Sequence, residues 1–121
     1  MARVVVIDDN PAILDILSKV LTREGHEVVV AADGAAGEAR VAEAPTDLVV
    51  TDIIMPNREG LETIIELKRR QPDLRIIAMS GGGRMRKLDV LEMAQRIGAD
   101  RVIEKPLERA VFLAAVRELL A

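Results

Sequence analysis

The chain has 121 residues, half of them hydrophobic and 1% aromatic, and its formal net charge is −3 at pH 7. This length suffices for one domain with a sizeable core, and the charge gives no general reason to expect direct contact with nucleic acid or an acidic membrane. The chain has no cysteine and a single histidine, which excludes disulfides, thiol chemistry and multi-histidine metal sites.

Five short apolar runs alternate with helical patterns along the chain. Continuous apolar runs of this length are typical of strands buried on both faces, as in parallel sheets. In chain order they are RVVVI from Arg3, EVVVAA from Glu27, DLVVT from Asp47, LRIIAM from Leu74 and the weaker RVIE from Arg101.

The intervening segments carry apolar residues at helical spacing and helix-end signals. Asn10 before Pro11 is typical of an N-cap followed by proline in the first turn, while Gly25 and Gly98 stand where helices would end. Residues 33–44 form a weaker, alanine-rich helical pattern. The predicted apolar faces comprise Ile13, Leu17, Val20 and Leu21; Leu61, Ile64 and Ile65; Val90, Met93, Ala94 and Ile97; and Phe112, Val116, Leu119 and Leu120.

This alternation predicts an α/β fold, a doubly wound (βα)5 parallel five-stranded sheet with helices on both faces. The pattern fills residues 1–121 without a linker or repeat, so we expect a single domain. No apolar run reaches the ~20 residues of a membrane span and no signal-peptide pattern is present, so we expect a cytoplasmic protein without membrane contact.

Polar side chains follow four of the five predicted strands. Asp8 and Asp9 follow the first strand, Asp52 the third, Ser80 the fourth and Lys105 the fifth. In open parallel sheets, ligands bind beyond the carboxyl ends of the strands, so these groups should meet at one edge. The second strand contributes little there, which favours a place for it at the edge of the sheet.

The chemistry of this set favours phosphoryl transfer. Three neighbouring carboxylates repel one another unless a cation joins them, and oxygen ligands suit Mg²⁺. An ammonium and a hydroxyl in reach would hold phosphoryl oxygens. A carboxylate can itself attack a phosphoryl donor and form an acyl phosphate, and Asp52 at the strand tip is the predicted nucleophile.

With these motifs in place, the sequence resembles the receiver domain of bacterial two-component response regulators, in particular the single-domain, chemotaxis-regulator-like kind. The resemblance spans essentially the whole chain and rests on VVVIDDN, VVTDIIMPNREG, IIAMSG and GADRVIEKPL, in that order. It implies a flavodoxin-like sheet with strand order 2-1-3-4-5.

The resemblance also implies a role for each site residue. Asp52 would be the phosphoacceptor, the Ser80 hydroxyl would turn toward the phosphoryl group, and Lys105 would contact its oxygens, with a cis bond between Lys105 and Pro106. Mg²⁺ would be held by Asp8, Asp9, Asp52 and the main-chain carbonyl of Ile54.

The implied function is a phosphorylation-dependent switch in a phosphorelay. The chain would not be an enzyme with a separate substrate, but it would assist its own phosphorylation and its own dephosphorylation, which would be slow. The expected partners are a sensor histidine kinase or histidine phosphotransfer protein and a downstream effector protein, with the chain a monomer or weak dimer. The output surface would comprise the fourth predicted helix, the fifth strand and the last helix.

One alternative is a receiver-like interaction module that works without phosphorylation. Another is an aspartyl-phosphate hydrolase of a different α/β family, which would typically carry an Asp-x-Asp motif where this chain has Asp8-Asp9-Asn10.

Overall fold

The computed structural model describes residues 2–53, 60–80, 92 and 95–121. Strands and helices alternate from Arg3 to Ser80 as the apolar pattern predicts, and a further strand and helix follow from Arg101. The elements are β1 (Arg3–Ile7), α1 (Pro11–Arg23), β2 (Glu27–Ala31), α2 (Gly34–Glu43), β3 (Leu48–Asp52), α3 (Gly60–Arg70), β4 (Arg75–Ser80), β5 (Arg101–Glu104) and the C-terminal helix (Arg109–Leu120).

The five strands form one parallel sheet in the order β2-β1-β3-β4-β5, which confirms the predicted fold class and strand order. The register aligns the carboxyl ends of the strands: Ile7 pairs with Thr51, Asp52 with Met79, and Ser80 with Glu104. Polar residues at or just after these positions therefore lie along one edge of the sheet.

The apolar runs are buried to different degrees, which corrects one prediction. β1, β3 and β4 are almost wholly buried, but Glu27 and Val30 of β2 are exposed and its other valines are half-buried. The expectation that EVVVAA is buried on both faces is therefore wrong. β2 has a neighbouring strand on one side only, so helices cover it less completely.

The helices begin and end largely where the sequence signals indicate. The Asn10 side chain accepts a hydrogen bond from the Ala12 N–H and caps α1, and the Asp33 side chain accepts one from the Ala36 N–H and caps α2. Gly25 adopts a φ of 90°, a left-handed conformation that favours glycine and ends α1.

The apolar faces are confirmed for α1 and the C-terminal helix, whose predicted residues pack into the core. On α3, Leu61 and Ile64 pack inward, but Ile65 is 49% exposed, so its assignment to that face was wrong. Of the fourth predicted helix, Glu92, Gln95 and Arg96 are described as helical; Val90, Met93 and Ala94 lie outside the described residues.

Two apolar layers hold the sheet between the helices. One layer joins β1, β3 and β4 to α2 and α3, and the other joins the opposite face of those strands to α1 and the C-terminal helix. At about 25 cal/mol per Å² of buried apolar surface, these layers provide the main favourable free energy of folding. No helix in the described part of the chain is long and apolar enough to cross a lipid bilayer.

Candidate functional site

Three carboxylates converge at the carboxyl end of the sheet. Asp8 directly follows β1 and Asp52 is the last residue of β3, so the pairing of these strands places them side by side. Asp8 is fully buried, Asp52 is 7% exposed, and Asp9 faces solvent. One carboxylate oxygen from each of the three lies within 4.8 Å of the others. The predicted grouping of Asp8, Asp9 and Asp52 is therefore present.

Lys105 links two of these carboxylates. Its Nζ donates to Asp8 Oδ2 at 2.8 Å and to Asp52 Oδ2 at 3.1 Å. Partial burial alone would lower the pKa of the Lys105 ammonium, but the hydrogen bonds and negative charges of Asp8 and Asp52 outweigh it and raise that pKa. Lys105 therefore stays charged at neutral pH and offsets part of the repulsion between the two carboxylates.

Asp8 is held from two sides. Its Oδ2 accepts from Lys105, and its Oδ1 accepts from the Asn10 main-chain N–H at 2.9 Å. Because Asn10 also caps α1, the start of that helix and the buried carboxylate are fixed together. The side chain of Asp9, by contrast, extends toward solvent, where an incoming ion would meet it.

Ser80 lies beside Lys105 at the ends of β4 and β5. It is 7% exposed, and its main-chain carbonyl accepts a hydrogen bond from the Lys105 N–H at 2.7 Å. The Lys105–Pro106 peptide bond is cis, as the resemblance implied. Ser80 and Lys105 are thus brought to the same edge as the carboxylates, while Ile54, the predicted source of a main-chain ligand, lies outside the described residues.

Two residues that the sequence reasoning did not single out contact the main chain of Asp52. The Thr51 hydroxyl donates to the Asp52 carbonyl at 3.0 Å. Gly60 begins α3 so close to that carbonyl that a Cβ on Gly60 would stand 1.8 Å from the oxygen. The polar Thr51 at the end of an apolar run, and a glycine shortly after a strand-end aspartate, were the available signals.

The donor set fits a hard divalent cation. Carboxylate oxygens are the ligands that Mg²⁺ prefers, and the exposed Asp9 leaves one side of the cluster open to solvent. The set contains no nitrogen or sulfur ligand of the kind that favours zinc or copper.

Comparison with known proteins agrees with this geometry. The chain is 34% identical over 119 residues to the DNA-binding transcriptional regulator NtrC of Azospirillum brasilense, a match that covers 98% of this chain and 24% of that protein. The chain spans between about a quarter and about half of the length of the first curated relatives that it matches.

Solved structures show the same architecture. A CheY-like response regulator receiver domain protein from Methanospirillum hungatei is 30% identical and superimposes with a TM-score of 0.90, covering 98% of this chain and 92% of that one. The beryllofluoride-activated NtrC4 receiver domain dimer, determined in solution, is 30% identical with a TM-score of 0.89, covering 98% and 96%.

A family model matches nearly the whole chain. The model is that of the response regulator receiver domain, and it covers residues 4–117. That range includes the three carboxylates, Ser80 and Lys105. The chain therefore belongs to the receiver domain family of two-component response regulators.

Proposed function

We propose that this chain is a phosphorylation switch in which Asp52 accepts a phosphoryl group from a phosphohistidine of a sensor kinase or phosphotransfer protein. One observation carries the proposal: the Asp52 carboxylate lies at the open end of the sheet, within 4.8 Å of Asp8 and Asp9 oxygens and 3.1 Å from the Lys105 ammonium. The fold supports the proposal, because parallel sheets bind ligands at this edge.

The transfer needs few groups. An Asp52 carboxylate oxygen attacks phosphorus, the phosphorus–nitrogen bond of the donor breaks, and the donor imidazole leaves with a proton from solvent. The Lys105 ammonium is hydrogen-bonded to Asp52 before transfer and would then donate hydrogen bonds to the phosphoryl oxygens. The Ser80 hydroxyl would donate a hydrogen bond to another phosphoryl oxygen. Before transfer, Asp8 and Asp52 raise the pKa of Lys105, so Lys105 carries its positive charge when the donor arrives.

Mg²⁺ is the proposed cofactor. Asp8, Asp9 and Asp52 would hold it, together with the main-chain carbonyl of Ile54. When bound, the ion supplies positive charge that lowers the repulsion between the carboxylates and the incoming phosphoryl oxygens. We infer that the chain turns over no separate substrate and that its phosphoryl group is lost slowly.

The output surface would lie beside the site. Lys105 lines a shallow hollow that also includes Val102 of β5 and Val111 of the C-terminal helix, and Val111 is 52% exposed. Phosphorylation replaces the single charge of the Asp52 carboxylate with a phosphoryl group of about −1.5 to −2 charge and three acceptor oxygens, so moving Lys105 and Ser80 toward that group would change this face. We propose that a downstream effector protein binds there and that the chain acts as a monomer or weak dimer in the cytoplasm, without contacting nucleic acid directly.

Mass spectrometry of the intact chain tests the proposal. Incubation with acetyl phosphate and Mg²⁺ should add one phosphoryl unit of about 80 Da, and Asp52→Asn should prevent it. Asp15→Asn is the matched control, because it makes the same chemical change at an exposed position on α1. Equal labelling of the Asp52→Asn variant and the unaltered chain would show that Asp52 is not the acceptor.

A further inference from the structure

The buried hydroxyl of Thr51 has a specific partner. Thr51 is fully buried in the apolar layer between the sheet and helices α2 and α3, where its register neighbours on β1 and β4 are Ile7 and Ala78. A hydroxyl in such surroundings is costly unless it forms a hydrogen bond. It donates to the main-chain carbonyl of Asp52 at 3.0 Å.

The same carbonyl is confined from a second side. The backbone of Gly60 approaches it so closely that a side chain there would overlap the oxygen, and the Gly60 N–H donates to the next carbonyl, that of Ile53, at 2.6 Å. The Ile53 N–H in turn donates to Met79 of β4 at 3.0 Å. The peptide that follows Asp52 is therefore fixed by the neighbouring strand, by α3 and by Thr51.

We propose that Thr51 is a positioning residue for phosphoryl transfer to Asp52, an inference that rests on the proposed function. The orientation of the Asp52 carbonyl sets the ψ angle of that residue, and hence the angle between its carboxylate and the chain that follows. Thr51 restricts that angle through the main chain, because its hydroxyl is hydrogen-bonded to the Asp52 carbonyl. The rate of a reaction is sensitive to small displacements of the reacting atoms. If the Asp52 carboxylate is held less firmly, its oxygen is less often aligned with the donor phosphorus and beside the Lys105 ammonium.

Two substitutions separate the hydroxyl from packing. Thr51→Val keeps the shape and removes the hydroxyl, whereas Thr51→Ser keeps the hydroxyl and removes a methyl group. Ile76→Val is the matched control, because it removes one carbon from the same buried layer without touching Asp52. Thr51→Ser and Ile76→Val should each lower the melting temperature by about 5 °C or less, the usual effect of removing one buried carbon.

The rate constant for phosphorylation by acetyl phosphate, measured across a Mg²⁺ titration, is the readout. Thr51→Val should lower the rate at saturating Mg²⁺ by about three- to tenfold, the range expected for losing one neutral hydrogen bond. Thr51→Ser and Ile76→Val should stay within about twofold of the unaltered chain, although both are less stable. This pattern separates positioning from folding, because Thr51→Ser and Ile76→Val lose stability without losing rate.

A second readout follows Mg²⁺ without phosphorylation. The Mg²⁺ concentration at half of the full increase in melting temperature gives the ion's affinity for each variant. A Thr51→Val variant with an unchanged rate at saturating Mg²⁺ would overturn the proposal, and so would a change in Mg²⁺ affinity alone. Either outcome would leave the proposed function intact as long as the unaltered chain is labelled and Asp52→Asn is not. Absence of label on the unaltered chain would overturn both the proposed function and the role of Thr51.

Discussion

Removing the Lys105 ammonium should destabilise the chain through the carboxylates that it joins. In a Lys105→Met variant, the fully buried Asp8 loses a charged donor at 2.8 Å, which costs about 1.5–3 kcal/mol. The Asp52 contact is longer, at 3.1 Å, and the Lys105 side chain that makes it is 20% exposed, so its loss adds about 0.5–1 kcal/mol. We therefore expect the free energy of unfolding to fall by about 2–4 kcal/mol at neutral pH without divalent ions.

Urea unfolding followed by far-ultraviolet circular dichroism is the suitable assay, because the chain has no tryptophan or tyrosine for fluorescence. Lys19→Met is the control: Lys19 pairs with Asp15 on the surface, where both side chains are mostly exposed, so its loss should cost less than about 1 kcal/mol. Millimolar Mg²⁺ should reduce the deficit of Lys105→Met, because the ion replaces the missing positive charge between the carboxylates.

The pH dependence has a defined direction. The pKa of Lys105 is raised in the folded chain, so its contribution is fully present below the ordinary lysine pKa of about 10.4 and is lost as pH rises through the higher folded value. The stability difference between the unaltered chain and Lys105→Met should be constant near neutral pH and shrink above about pH 10. A deficit no larger than that of Lys19→Met, unchanged by Mg²⁺ or alkaline pH, would refute the reasoning.

Two further predictions concern the metal and the chain after Asp52. Mg²⁺ should raise the free energy of unfolding by about 2.7 kcal/mol at 100 times its dissociation constant, and Asp9→Ala should remove most of that increase. Equal responses to Mg²⁺ of the unaltered chain and Asp9→Ala in thermal melts would contradict a site that includes Asp9. Gly60→Ala should cost about 3 kcal/mol or more, because its Cβ would overlap the Asp52 carbonyl, whereas Gly25→Ala, strained by φ but in open space, should cost about 1 kcal/mol. Similar urea midpoints for the two alanine variants would contradict the close approach at Gly60.

Local pattern was sufficient to predict the sheet and its polar edge. RVVVI and RVIE coincide with β1 and β5, and the strand-end positions of Asp8 and Asp52 followed from where the apolar runs stop. A parallel sheet must bring such ends to one edge, so the carboxylate cluster required no long-range information beyond the strand order.

Burial and close contacts depended on the tertiary arrangement. The valines of β2 resemble those of β1 in sequence, but β2 lies at the edge of the sheet and is covered less. The contacts of Thr51 and Gly60 with the Asp52 carbonyl depend on how the chain folds around that carbonyl, so the sequence alone could not predict them. Composition and periodicity do not predict that local backbone geometry.

Locating the phosphoryl group on the chain is the most direct test of the switch. Borohydride reduces an acyl phosphate of aspartate to homoserine, so reduction after treatment with acetyl phosphate and Mg²⁺, followed by peptide mass spectrometry, identifies the modified carboxylate. The geometry predicts homoserine at position 52 alone, dependent on Mg²⁺ and reduced when Lys105 is replaced by Met. Homoserine at Asp8 or Asp9 instead, or no reduction product at any aspartate, would contradict the assignment of Asp52 as the phosphoacceptor.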